Sequence, residues 1–196
     1  VEVVITVKRT GHQVHMENDR DFWFHDLMAL PIISSNCETE IMDAEDPLFI
    51  LYTSGTTGQP KGAMLSHQYI LKSVESLRQS VPIFDTDIAF SYLPGCHVAE
   101  RISGIYNRLY NGTPAYFVDD LSRLYEYMLE VKPTVFASLP RFFEKIHAAI
   151  VAKHGTGKVA PQIVKDAFGG RIRLLTSGGA PLPAEIAQFF ADAGLP

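Results

Sequence analysis

The run best suited to holding a phosphate chain is Tyr52-Thr53-Ser54-Gly55-Thr56-Thr57-Gly58-Gln59-Pro60-Lys61-Gly62. Its four hydroxyl side chains, Thr53, Ser54, Thr56 and Thr57, can donate to phosphate oxygens, and Lys61 adds a mobile positive charge for the β- and γ-phosphates. Gly55, Gly58 and Gly62 permit positive φ and close backbone approach, so successive N–H groups can turn inward as an anion nest. Pro60 stiffens the approach to Lys61. The common P-loop needs Gly-Lys-Ser/Thr leading into a helix, whereas Lys61 lies between Pro60 and Gly62. Gly155-Thr156-Gly157-Lys158 fails as well, with Ala152 where the first glycine belongs and Val159 where the hydroxyl belongs. By composition alone, a flexible surface turn rich in Gly and Thr is the alternative.

Two further segments carry polar groups at element ends. In Ser91-Tyr92-Leu93-Pro94-Gly95-Cys96-His97-Val98-Ala99-Glu100-Arg101, His97 falls where a helix should begin. The helix dipole disfavours an imidazolium there, which leaves a neutral hydrogen-bonding role, or a plain capping or buried histidine. Leu175-Thr176-Ser177-Gly178-Gly179-Ala180-Pro181-Leu182 reads as a strand end, a glycine turn and a helix start. In an open parallel sheet, ligands bind at such carboxyl ends; a plain strand-to-helix turn is the other reading.

These segments need an alternating scaffold. Strands are expected over 1–7, 48–52, 88–92, 114–118, 133–137 and 171–176, with a short return strand at 63–65. The run 48–52 is continuously apolar, as in a strand buried on both faces. Helices are expected over 21–30 (capped by Asn18 or Asp19, stopped by Pro31), 67–79, 97–110, 120–130 (capped by Asp119 or Asp120), 140–153 (Pro140 at N1), 158–168 (ended by Gly169-Gly170) and 183–193. Within them Val98, Ile102, Ile105 and Leu109 share a face, as do Leu121, Leu124, Tyr125, Met128 and Leu129, and Phe142, Ile146, Ala149 and Ile150. Strands separated by helices predict an α/β fold: a mainly parallel sheet with helices on both faces.

The bulk properties fit this. The 196 residues are 46% apolar and 20% charged, the balance of a globular domain. A net charge of -5 offers no basic surface for nucleic acid. No apolar run approaches the roughly 20 residues of a membrane span. Cys37 and Cys96 have neither disulfide-framework nor zinc spacing, and a cytoplasmic setting is expected. The strand-like opening without a start methionine and the stop after a helical pattern predict a piece of a larger protein.

The loop at residues 52–62 resembles the signature loop of the acyl-adenylate-forming superfamily, which includes acyl–CoA synthetases, luciferases and peptide-synthetase adenylation domains. Ser-Gly-Thr-Thr-Gly and Pro-Lys-Gly are all in place. The resemblance implies that Thr53, Ser54, Gly55, Thr56, Thr57, Gly58 and Lys61 hold the β/γ-phosphates of ATP. The segment at 91–101 is similar to the Leu-Pro-x-x-His segment of long-chain fatty acyl members, which makes His97 a gate at the mouth of the acyl channel. The segment at 175–182 is similar to the family's Ser-Gly-Gly-Ala-Pro-Leu stretch, which sets Ser177, Gly178, Gly179, Ala180 and Pro181 against the adenine and acyl groups. Pro140-Arg141-x-x-Glu144-Lys145 also looks long-chain, while the motifs before residue 52 (Trp23-x-His25-Asp26-Leu27 among them) resemble acetyl–CoA synthetases. Acyl length is therefore open.

The resemblance implies part of the large N-terminal domain of an adenylate-forming enzyme. Its substrates would be a fatty acid, ATP and CoA, with Mg²⁺ on the triphosphate, and peripheral membrane contact stays open. The acid would attack the α-phosphate, pyrophosphate would leave, and the acyl group would pass to the CoA thiol. The family's Tyr-Gly-x-Thr-Glu segment, ribose-binding Asp and C-terminal domain with its catalytic Lys are not among these residues. Residues 1–196 alone are thus expected to form acyl–CoA weakly or not at all. An enzyme loading a carrier protein and a non-catalytic nucleotide-binding module remain alternatives.

Overall fold

The computed structural model describes residues 1–8, 11–31, 38–53, 58–157 and 159–195. The chain divides into two units, Val1–Met42 and Asp43–Pro196. In the first, β1 (Val4–Thr6) pairs in parallel with β2 (Asp21–Trp23), Ile5 lying opposite Phe22. A short helix, α1 (Phe24–Met28), follows. The strand expected over 1–7 is thus shorter, and the helix expected from Asp21 starts only at Phe24. Neither Asn18 nor Asp19 caps it: the N-cap is Trp23, with no side-chain cap bond. The Asp21 carboxylate instead closes the preceding turn, accepting from Glu17 N–H (2.9 Å) and Arg20 Nε–H (2.5 Å). The Arg20 hydrogen bond holds that carboxyl down at about 2. With its acid so used, the aromatic Asp21–Trp23 stretch takes the extended form that its side chains favour.

The second unit begins with an antiparallel hairpin of β3 (Pro47–Thr53) and β4 (Lys61–Ser66), in which Thr53 pairs with Lys61 and Tyr52 with Gly62. The run at 48–52 is not buried on both faces. Leu51 is buried, but Ile50 is 52% and Tyr52 73% exposed. An antiparallel pair needs only one covered face, so an apolar run can leave half its side chains open. Helix α2 (His67–Ser80) follows directly, Ser66 Oγ accepting from Tyr69 N–H (3.2 Å), with Ile70 and Val74 buried.

β5 (Ala89–Ser91) pairs in parallel with β6 (Ala115–Phe117), and β7 (Val135–Ser138) with β8 (Leu174–Ser177). The two pairs are stitched together where β5 and β7 begin: Thr134 N–H donates to Ile88 O (3.0 Å), and Ile88 N–H donates to Thr134 Oγ1 (2.8 Å). Side chains then alternate. Ala89, Val135 and Leu174 pack with Ile83 on one face; Phe90, Phe136 and Leu175 join the main core on the other. That core is supplied by α4 (Leu124–Val131), α5 (Pro140–His154), α6 (Pro161–Asp166) and α7 (Ala184–Asp192), with Phe136 ringed by Phe90, Phe142, Phe143 and Phe168.

Two helical faces depart from the 3.6-residue reading. The segment expected as one helix over 97–110 is a π-helix, Glu100–Tyr106, running into α3 (Asn107–Asn111). Its wider turn shifts the buried stripe: Glu100, Ile102, Gly104, Asn107 and Arg108 are buried, while Val98 and Leu109 are 48% and 73% exposed. Likewise α4 is preceded by a 3₁₀ turn, Leu121–Arg123, capped by Asp120, which accepts from Ser122 N–H (2.9 Å). The tighter turn leaves Leu124 and Met128 buried, but Leu121, Tyr125 and Leu129 exposed.

A clamp ties the amino ends of three strands. Asp87, buried just before β5, accepts from Phe84 N–H (2.8 Å), Thr134 Oγ1 (2.7 Å) and Arg173 Nε (2.8 Å), and Arg173 Nη2 grips its other oxygen. No helix among the described residues is long and apolar enough to cross a membrane.

Candidate functional site

The carboxyl ends of β5, β7 and β8 come together. Tyr92, just past β5, stacks on Phe136 (5.7 Å between ring centroids) and donates its hydroxyl to Ala137 O (2.7 Å). Burial first, then the nearby Glu100 charge, push its phenol above the usual range. Gly178 N–H donates to Ser138 O (3.2 Å), which fixes the turn after β8 against the end of β7. Gly179 sits at φ 80°, and a Cβ there would lie 3.0 Å from Leu139 Cδ2. The positive φ favours glycine, while the Leu139 side chain can give way. Gly179→Ala should cost about 1–2 kcal/mol through backbone strain, measured as a lower urea midpoint. Ser177, Gly178, Ala180 and Pro181 are exposed along this rim. Behind them lies a cavity of about 90 Å³ lined by Phe143, Leu175, Leu182 and Phe190.

Of the phosphate-loop candidates, Thr53, Gly58 and Lys61 are described at the end of the β3–β4 hairpin. Thr53 and Lys61 form its last pair, with Thr53 Oγ1 donating to Lys61 O at 3.5 Å, and both are exposed. Gly58 has φ 90°, the left-handed geometry expected of it. Gly62 does not: it is a strand residue whose Cβ would meet Ile50 Cγ2 at 2.9 Å, so its small size serves cross-strand packing. Ser54, Gly55, Thr56 and Thr57 lie outside the described residues.

The hairpin is tied to the π-helix through rings: Phe49 stacks on Tyr106 (5.9 Å), and the Arg101 guanidinium lies over Phe49 (5.1 Å). His97 is exposed just ahead of that helix. Its N–H donates to Pro94 O (2.8 Å), and its Nδ1 accepts from Ala99 N–H (3.1 Å). That bond engages Nδ1 and leaves Nε2 as the other ring nitrogen. Beside it, a cleft of about 760 Å³ runs between α2 and residues 98–103, lined by Tyr69, Lys72, Ser73, Val98, Ile102 and Ser103 among others.

So the structure brings Ser177–Pro181 to the end of β7, and links the hairpin bearing Lys61 to the helix after His97. No hydrogen bond among the described residues joins the hairpin tip to the Ser177 turn. Sequence reasoning missed the buried Glu100–Arg108 pair and the anchoring of Tyr92. Glu100 and Tyr92 stand inside the segment around His97; Arg108 carried no signal. No group of three or more His, Cys, Asp or Glu among the described residues could hold a metal ion.

The family model described as AMP-binding enzyme matches residues 1–196, and the chain belongs to that family. It is 33% identical over 175 residues to the peroxisomal long chain acyl-CoA synthetase 6 of Arabidopsis thaliana, covering 74% of this chain and 25% of the relative. It is 32% identical over 209 aligned residues to the acetyl-coenzyme A synthetase of Bdellovibrio bacteriovorus, covering 98% of this chain and 29% of the relative. The chain thus spans between a quarter and a third of the length of these relatives. In fold it matches a malonyl-CoA ligase solved as a ternary product complex with methylmalonyl-CoA and AMP. The TM-score is 0.72 at 22% identity, over 98% of this chain and 39% of that one. The expected α/β fold class is the observed one, carried by small two-stranded sheets.

Proposed function

We propose that this chain forms one wall of the active site of an AMP-forming acid–thiol ligase, which activates a fatty acid, by preference a long-chain one, for transfer to CoA. The observation that carries the reading is the intact Tyr52-to-Gly62 sequence in a member of the AMP-binding family, with Thr53 and Lys61 paired at the end of the β3–β4 hairpin and Gly58 left-handed. The exposed Lys61 would meet the β/γ-phosphates, with Thr53 beside it. Ser177 to Pro181, at the sheet's carboxyl rim, offer backbone to the adenine and acyl groups. His97 Nε2 and the cleft after it receive the acid. ATP supplies the adenylyl group and CoA the thiol. Mg²⁺ would arrive on the triphosphate and offset its charge.

The long-chain preference is supported by the segment around His97 and by the long-chain synthetase relatives. The acetyl reading is supported by the opening third and by a relative that covers nearly the whole chain. A panel of acids from two to eighteen carbons, assayed for pyrophosphate release by the full-length protein, separates them. The expected optimum lies at long chains. An optimum at acetate would sink the long-chain reading, and pyrophosphate release independent of any acid would sink the ligase reading altogether.

A further inference from the structure

One buried carboxylate near this site has no part in the phosphate loop, the rim turn or the cleft. Glu100 is 4% exposed, and its Oε1 accepts from Ser91 Oγ (2.6 Å) and from Arg108 Nη2. Arg108, 8% exposed, also donates from Nη1 to Phe90 O (3.1 Å). The fit depends on Gly104: a Cβ there would lie 2.7 Å from Glu100 Oε1 and 2.8 Å from its Cδ. This cluster binds the last two residues of β5 to the start of the π-helix and, through Arg108, to α3 beyond it. A buried ion pair is a poor device for stability alone, because desolvation offsets most of its attraction. What it does here is geometric. Residues 92–99, His97 among them, form a loop whose two ends, Ser91 and Glu100, are joined by a single hydrogen bond.

We infer that Glu100 is a positioning residue for acid activation: by tying Ser91 and Arg108 to one carboxylate it holds the segment that carries His97 and the cleft-lining Val98 and Ala99. The inference rests on the proposed reading of the cleft as the acid's site. Releasing the tie gives the loop freedom to shift. A displacement of about 1 Å at a substrate-positioning group is enough to cost on the order of a hundredfold in rate.

The test uses the full-length protein as wild type, Glu100→Gln, His97→Ala and the double variant. Pyrophosphate release is followed while the acid preferred in the chain-length panel is varied at saturating ATP, and then the reverse. Glu100→Gln should raise the KM for the acid about tenfold and leave the KM for ATP within about twofold; in the His97→Ala background it should add less than about twofold. An equal loss in both backgrounds would overturn the inference. So would a lowered melting temperature with both KM values unchanged. If Glu100→Gln does not fold, Ser91→Ala, which removes one of the two hydrogen bonds, must show the same acid-against-ATP split and the same non-additivity with His97→Ala, or the inference fails. Absence of acid-dependent pyrophosphate release from the wild type would instead overturn the ligase reading beneath it.

Discussion

Replacing Lys61 with alanine in the full-length protein will lower acid-dependent pyrophosphate release by about a hundredfold, in line with the loss of one preorganised charge at a developing phosphate anion. The fold should survive. Lys61 is exposed, and its part in β4 is the backbone pairing with Thr53, which alanine keeps. A surface change of this kind shifts stability by only about 0.5 kcal/mol. The loss should fall on ATP rather than on the acid, because the His97 cleft is a separate feature of the structure. Lys61→Arg keeps the charge but replaces a compact ammonium on a flexible stem with a planar fork, so it should recover only part of the rate. Unchanged pyrophosphate release in Lys61→Ala would mean that Lys61 plays no part in adenylation and that the loop serves only the α/β scaffold.

Asp87→Ala should lower stability by about 3 kcal/mol in urea denaturation, the range for removing one partner of a buried, hydrogen-bonded charge pair. Its carboxylate is 3% exposed and accepts from Phe84, Thr134 and Arg173. The Arg173 side chain is 37% exposed, so solvent screens its share, and Arg173→Met should cost less. The same cluster sets a pH dependence. Burial pushes the Asp87 carboxyl up, but the Arg173, Thr134 and Phe84 hydrogen bonds outweigh it and hold it below its ordinary value. A carboxyl depressed in the folded state contributes fully above its unfolded value. That contribution is lost as pH falls through the unfolded value toward the folded one. The wild-type urea midpoint should therefore decline in acid, below about pH 5, and Asp87→Ala should show a flatter decline over the same window. Parallel curves for the two proteins would assign the acid sensitivity to other groups.

Much of this was legible before any coordinates. Alternation of strand and helix predicted mainly parallel pairing, which β5–β6 and β7–β8 show, because a buried parallel strand and an amphipathic crossover helix each write a periodic pattern. Pro140 marked a helix start; the helix expected over 158–168 is shorter, Pro161–Asp166, though Gly169 and Gly170 beyond it do take positive φ. What failed was local geometry set by tertiary contact. Nothing in a 3.6-residue count reveals that Glu100 to Tyr106 is wound as a π-helix around a buried carboxylate. The exposure of Ile50 and Tyr52 follows from antiparallel pairing with β4, whose apolar signature matches that of a central strand. At the candidate site, the left-handed turn at Gly58 was readable because turn geometry is local, whereas the Glu100–Arg108 pair joins residues that no motif connects.

The Asp87 clamp also dates the assembly of the sheet. Its partners stand 47 and 86 residues further along the chain, while the β3–β4 hairpin closes across only eight. During synthesis the hairpin is complete as soon as Ser66 has emerged. Asp87 must wait, as a carboxylate in water, until Arg173 is free of the ribosome. Contacts of such long sequence separation form late, after the loop-closure entropy has been overcome. The amino-end clamp therefore closes late, once Arg173 has reached Asp87.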